Sequence, residues 1–160
     1  VFKAFVLGTA LALASVGTAT AQDAGRSNLE AAQAANDRGD FAEAVRQFRM
    51  AADQGNAIGQ NNLGLSYLLG EGVPQNDAEA VRWFRMAADQ GDALAQSILG
   101  AMYADGRGVP QNYAEAYKWY ALSAAQGNAD AVTFRDAIID KMTPAQIAEG
   151  QRLAAAWRPR

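Results

Sequence analysis

Residues 57–91 read AIGQNNLGLSYLLGEGVPQNDAEAVRWFRMAADQG, and residues 93–127 read ALAQSILGAMYADGRGVPQNYAEAYKWYALSAAQG. At a constant step of 36, Gly64 falls on Gly100, Tyr67 on Tyr103, Gly72 on Gly108, Pro74 on Pro110, Trp83 on Trp119 and Gly91 on Gly127. The same step carries RQFRMAADQG, residues 46–55, onto RWFRMAADQG, residues 82–91. A fixed period of this size marks a repeat array: each unit is one supersecondary piece, too thin to bury its own apolar face, that stacks on its copies.

Each unit reads as two helices joined by a loop. From Phe41 to Gln54 the apolar positions are Phe41, Ala44, Val45, Phe48, Ala51 and Ala52, in steps of three and four that share one helical face. Helices are expected at 57–69 and 93–105, the first with a stripe of Leu63, Tyr67 and Leu68, the second with Ala95, Ile98, Leu99, Met102 and Tyr103. The partner helices at 77–90 and 113–126 carry Ala80, Val81, Trp83, Phe84, Ala87 and Ala88, then Ala116, Tyr117, Trp119, Tyr120, Ser123 and Ala124. Gly55, Gly91 and Gly127 supply the same helix stop three times. Gly64 and Gly100 stand in mid-helix, where glycine costs about 1 kcal/mol against alanine. That cost implies a close approach, expected from Trp83 or Tyr67 and their counterparts. The loops LGEGVPQN, residues 69–76, and DGRGVPQN, residues 105–112, read as turns fixed by glycine and proline, with Asn76 and Asn112 capping the second helix of each pair. They are not phosphate cradles, since no strand precedes them and no Lys-Ser/Thr pair ends them.

The ends differ. Residues 1–21, VFKAFVLGTALALASVGTATA, hold one cation, a short apolar run and small residues ending in Ala19-Thr20-Ala21. They predict a signal peptide cleaved after Ala21 and a periplasmic or secreted protein. The strongly apolar run is shorter than the roughly 20 residues a span needs, so no stable membrane insertion is expected after cleavage. Residues 22–27 read as a flexible leader, with Ser27 or Asn28 capping the first helix and Glu30 completing a capping box. At the other end, residues 129–157 read as capping helices. Arg135 stands where Leu99 would be and Asp136 where Gly100 would be, a polar face that suits a terminal unit. Thr143-Pro144-Ala145-Gln146 starts a last helix with Ile147, Leu153, Ala154 and Trp157 inward, and Arg158–Arg160 is expected to fray.

Composition narrows the chemistry. The 160 residues are half apolar, carry a net charge of −3 and contain no cysteine and no histidine. Disulfides, thiol catalysis and thiolate metal sites are excluded, and the commonest general base and metal ligand is missing. No basic run exists, so no nucleic-acid partner is expected. No cofactor or metal is expected.

The pattern A-x-x-x-LG-x-x-Y-x-x-G-x-GV-x-x-(N/D)-x-x-x-A-x-x-W-x-x-x-A-A-x-x-G, met at 57–91 and 93–127, resembles the Sel1-like repeat, a relative of the tetratricopeptide repeat. Counting partial ends, the resemblance covers residues 28–157. The first unit, 28–55, lacks the GVPQN loop: Ala32 to Ala44 is 12 residues, against 16 from Gly64 to Ala80, which is closer to a tetratricopeptide repeat. The resemblance implies an all-α, right-handed α-α superhelix of about three to four helix-turn-helix repeats with a C-terminal capping helix, and adaptor or scaffold work without catalysis. Stacking curves such an array into a concave surface, and Asn61, Leu65, Leu68, Leu69, Ser97, Ala101, Ala104 and Asp105 are the expected partner-binding residues on it. The leading expectation is an exported, non-enzymatic scaffold that binds a peptide or helix of an envelope or signalling protein. A homo-oligomeric structural protein, using Trp157 or an open end of the array, is the alternative. A hydrolase using the carboxylate pairs Asp89/Asp92 or Asp136/Asp140 is the lesser one, because acids at helix ends usually cap or face water.

Overall fold

The structure is a computed structural model that describes residues 21–160; the apolar segment before them, and with it the expected signal peptide, lies outside the described residues. The described residues form eight helices in order: α1 Ala21–Asp37, α2 Phe41–Asp53, α3 Ala57–Leu69, α4 Asp77–Asp89, α5 Ala93–Asp105, α6 Tyr113–Ala125, α7 Ala129–Ile139 and α8 Pro144–Ala156. Helices α1–α2, α3–α4 and α5–α6 are hairpins, and α2 on α3, α4 on α5 and α6 on α7 stack them into a right-handed solenoid.

Local chemistry sets the boundaries. Asn56, Asn76, Asp92, Asn112 and Asn128 each accept the backbone N–H three residues on, which satisfies a donor the first helical turn leaves free. Thr143 and Gln146 form a reciprocal capping box at α8, with Pro144 at its first position. α1 departs from expectation. It is already helical at Ala21, so residues 22–27 are not a leader and neither Ser27 nor Asn28 caps it. The position matching Asn56 is Ala24, which has no side-chain acceptor to start a helix there. Gly25 is buried beside Asn56 and Gln54, and Arg26 bridges Glu30 one turn on at 3.5 Å.

The core lies between the units. Trp83, on α4, belongs to a cluster with Ala32, Val45, Phe48 and Leu63, and so ties the second hairpin to the first. Trp119, on α6, does the same one step later among Phe84, Ala88, Ile98 and Leu99. The mid-helix glycines have the expected kind of reason but a different partner. A Cβ at Gly64 would meet the Phe84 ring at 2.9 Å, and one at Gly100 the Tyr120 ring at 2.8 Å. The tryptophans and Tyr67 are not involved, because Trp83 points across the junction while Phe84, one residue round the helix, points at its own hairpin partner. A second orderly feature is a pair of amide ladders. Gln60 Nε2 donates to the Ala52 carbonyl at 3.3 Å and its Oε1 accepts from Gln90 at 2.7 Å. Gln96 and Gln126 repeat this with Ala88.

α8 is the main surprise. It packs on α6, not across α7 as the second half of a fourth hairpin. Gly150 lies over Tyr117, where a Cβ would stand 2.9 Å from the Tyr117 Cβ. Trp157 reaches Gly91 and the central cluster. The tail expected to fray makes a contact instead: the Arg160 N–H donates to the Asp89 carbonyl at 2.8 Å. Ile147, Leu153, Ala154 and Trp157 are only half-buried, and Gly150 is the buried residue of the helix. Asp136 occupies the Gly64 position on a helix with no hairpin partner, so no ring approaches, and it pairs instead with Arg135 at 2.8 Å.

Candidate partner-binding grooves at the unit junctions

Stacking leaves a shallow groove where one unit meets the next. At the first junction α3 presents Asn62, Leu65, Ser66 and Leu69, spaced three, four and three-plus-four apart and therefore on one stripe. The wall opposite is Asn36 at the end of α1, with Phe41 and Phe48 on α2, and Glu71 closes one end from the loop. At the second junction the same stripe of α5, Ile98, Ala101, Met102 and Asp105, faces Leu68, with Arg107 in the place of Glu71. Each groove offers about 30 Å³ of space. Small-molecule sites are ten or more times larger.

Two substitutions make the junctions unlike. Asp77 stands where the first junction has Phe41, and Arg107 where it has Glu71. Arg107 Nε donates to Asp77 Oδ2 at 2.8 Å and its Nη2 to the Leu68 carbonyl at 3.3 Å, bridging the second junction with an ion pair. The first junction lacks both partners of that bridge. Phe41 is 42% exposed at its rim, so the inward placement expected from its helical step does not hold. Glu71 is exposed, and among the described residues no cation pairs with it.

The expected binding residues divide. Leu65 and Leu69 line the first groove, and Leu68, Ala101 and Asp105 the second. Asn61, Ser97 and Ala104 do not line either one: they are buried to 5, 7 and 9% exposure inside the stack, and Leu68 is itself 3% exposed. They do not turn away from the stack, because the open stripe on α3 and α5 lies one residue further round the helix. Asn36, Phe41, Phe48, Asn62, Ser66 and Glu71 line the first groove from outside the expected set. Their signal in the sequence is the α3 step 62–65–66–69, together with the change from Phe41 to Asp77.

Two of the four carboxylates of the lesser reading, Asp92 and Asp136, have structural work. Asp92 caps α5, and the burial that accompanies this pushes its carboxyl above the usual range. Asp136 is paired with Arg135, and Asp140 ends α7. Among the described residues no group of three or more acids, histidines or cysteines could hold a metal, and no helix is long and apolar enough to cross a membrane.

A family model described as the Sel1 repeat matches residues 37–56, 57–92 and 93–128. Among solved structures, a protective antigen present in uropathogenic Escherichia coli strains, displaying an SLR fold, superposes with a TM-score of 0.77 at 29% identity over 86% of this chain. The chain spans 30% of that antigen's length. A Sel1 repeat protein from Oxalobacter formigenes gives 0.66 at 34% identity, covering 72% of this chain and 91% of the other. Helicobacter pylori cysteine rich protein B gives 0.56 at 19% identity over 74% of this chain and 99% of its own, a likeness of fold alone. No curated protein matches.

Proposed function

The chain belongs to the Sel1 repeat family, and we propose that it is an exported, non-enzymatic scaffold that holds a peptide or helix of an envelope or signalling protein along its junction grooves. The observation that carries this reading is the first groove, where Phe41 stands 42% exposed beside half-buried Leu65 and Leu69. Large apolar side chains left open in a concave setting are the usual mark of a surface that another chain covers. The small groove volume and the lack of histidine and cysteine favour recognition over chemistry. The Ala19-Thr20-Ala21 motif supports export.

The test is capture from envelope extract by the wild-type protein and by Leu65→Arg, both shown to melt alike. The reading requires a defined set of proteins that the wild type retains and the variant loses. Identical capture by both removes the groove, and steady turnover of a small substrate by the purified chain removes the scaffold. Export is tested apart from this, by N-terminal sequencing of the periplasmic fraction, where the chain should begin at Gln22.

A further inference from the structure

The two junctions carry opposite charge at the same place, and only one of them is neutralised from within. In the second, Arg107 is spent on Asp77 and on the Leu68 carbonyl. In the first, Glu71 sits at the end of an open apolar slot formed by Phe41, Leu65 and Leu69, and has no cation among the described residues. Asn36 and Asn62 flank that slot with amides. The Asn62 Nδ2 already donates to the Ile58 carbonyl at 2.9 Å, which leaves its oxygen as an acceptor for an incoming backbone N–H. Arg38, at the turn after α1, acts on a different carboxylate: with the Gln47 amide first and Arg46 next, it helps hold Glu43 below its ordinary range.

We propose that the first junction is the specificity site of the array, and that it takes an extended segment of a partner protein bearing a large apolar side chain next to a lysine or arginine. The apolar side chain lies across the mouth of the groove, against Phe41 and the Leu65–Leu69 edge. The neighbouring cation meets Glu71 and supplies from the partner the charge that Arg107 and Asp77 supply internally one unit on. The inference rests on the groove reading above and narrows it to one partner chemistry. An acidic segment is disfavoured, because it would place two like charges at the mouth of a partly desolvated slot.

The experiment uses the full chain on an array of ten-residue peptides. Two adjacent central positions are fixed and the rest are equimolar mixtures. The first fixed position is Leu, Phe, Ala or Gln; the second is Lys, Glu or Gln. Wild type is expected to favour Leu-Lys and Phe-Lys over Leu-Glu and Phe-Glu by about fivefold, the scale of one rim ion pair. Glu71→Lys should invert that order while still requiring the apolar residue. Leu65→Arg, checked for an unchanged melting curve, should lose all pairs. If binding persists and depends on Leu65 but Glu71→Lys leaves the charge order unchanged, the specificity inference fails and the groove reading stands. If no apolar pair is retained above Gln-Gln by the wild type, both fail together.

Discussion

Gly64 shows how a single missing side chain sets a distance between helices. Alanine there would gain about 1 kcal/mol of helix propensity, yet its Cβ would stand 2.9 Å from the ring of Phe84, which is fully buried and has nowhere to turn. Overpacking of this kind costs about 1–3 kcal/mol, so the clash prevails. Gly64→Ala is expected to lower the melting temperature by several degrees, read by circular dichroism. Asp136→Ala is the control: it changes the same repeat position on α7, where no ring approaches and only an exposed pair with Arg135 is lost. It should leave the melting temperature unchanged or slightly raised. Equal losses in both would show that the Phe84 contact is not what excludes a side chain.

Asp92 gives a second test at this scale. The caps at the same step are Asn56 and Asn128, so this site accepts an amide. Burial raises the Asp92 carboxyl above its ordinary value, and its bonds to the Ala95 and Leu94 N–H groups only partly offset this. A raised folded value means that the native state binds the proton more tightly than the unfolded chain. The group therefore disfavours folding at pH values above its folded pKa, and that handicap disappears as pH falls below the unfolded value. Asp92→Asn keeps the cap and removes the charge. It should raise the melting temperature at pH 7 and have little effect near pH 3. A lower melting temperature at pH 7 would mean that the favourable interaction of the charge with the α5 N-terminus is the larger effect.

Among the elements, α8 does what a repeat pattern does not announce. It leaves α7 and lies on α6, with Trp157 reaching as far as Gly91 at the end of α4. One helix thus ties the second and third hairpins together. A fully buried tryptophan cut to alanine loses about 3–5 kcal/mol; Trp157 is half-buried, and Trp157→Ala is expected to lose roughly half of that. Gly150→Leu, which strikes Tyr117 and leaves Trp157 intact, should weaken the same attachment. If neither changes the melting curve, α8 is not a staple. The helices themselves were legible because Asn and Asp caps, glycine stops and the 36-residue step all mark the same boundaries. The docking of α8 was legible only in part. Arg135 and Asp136 announce a helix without a hairpin partner, but nothing in α8 names α6, since its one buried residue is a glycine whose role is to let Tyr117 come close. The grooves were half legible for a similar reason. Alternation at 3.6 residues places the open stripe to within about one residue, and that single residue separates Asn62, on the groove, from Asn61, which is 5% exposed.

At the scale of the molecule, a stack held by its neighbours should be weakest where it has fewest of them. The central cluster joins eleven buried residues, from Leu68 to Trp119. The first joins eight and the last only five. In an array of this kind stability is close to a sum of unit and interface contributions, so opening begins in the poorest unit. Chain order alone would make α8 the first helix to open, as it lies nearest the terminus. The packing gives a different order. α7 belongs to the smallest cluster, and its hairpin face carries the Arg135–Asp136 pair in place of a partner helix. α8 is fixed at three points, by Gly150 on Tyr117, Trp157 against Gly91 and the Arg160 N–H on the Asp89 carbonyl. Residues 129–143, once extended, could span roughly 50 Å, which lets α7 unwind while α8 stays docked. Native-state hydrogen exchange should therefore find α7 less protected than α8, and both less protected than α4 and α5. Trp157→Ala should reverse the first inequality by releasing α8. Protection that rises steadily from the C-terminus inward, unchanged by Trp157→Ala, would mean that this end frays in chain order and that α8 does not clamp the solenoid.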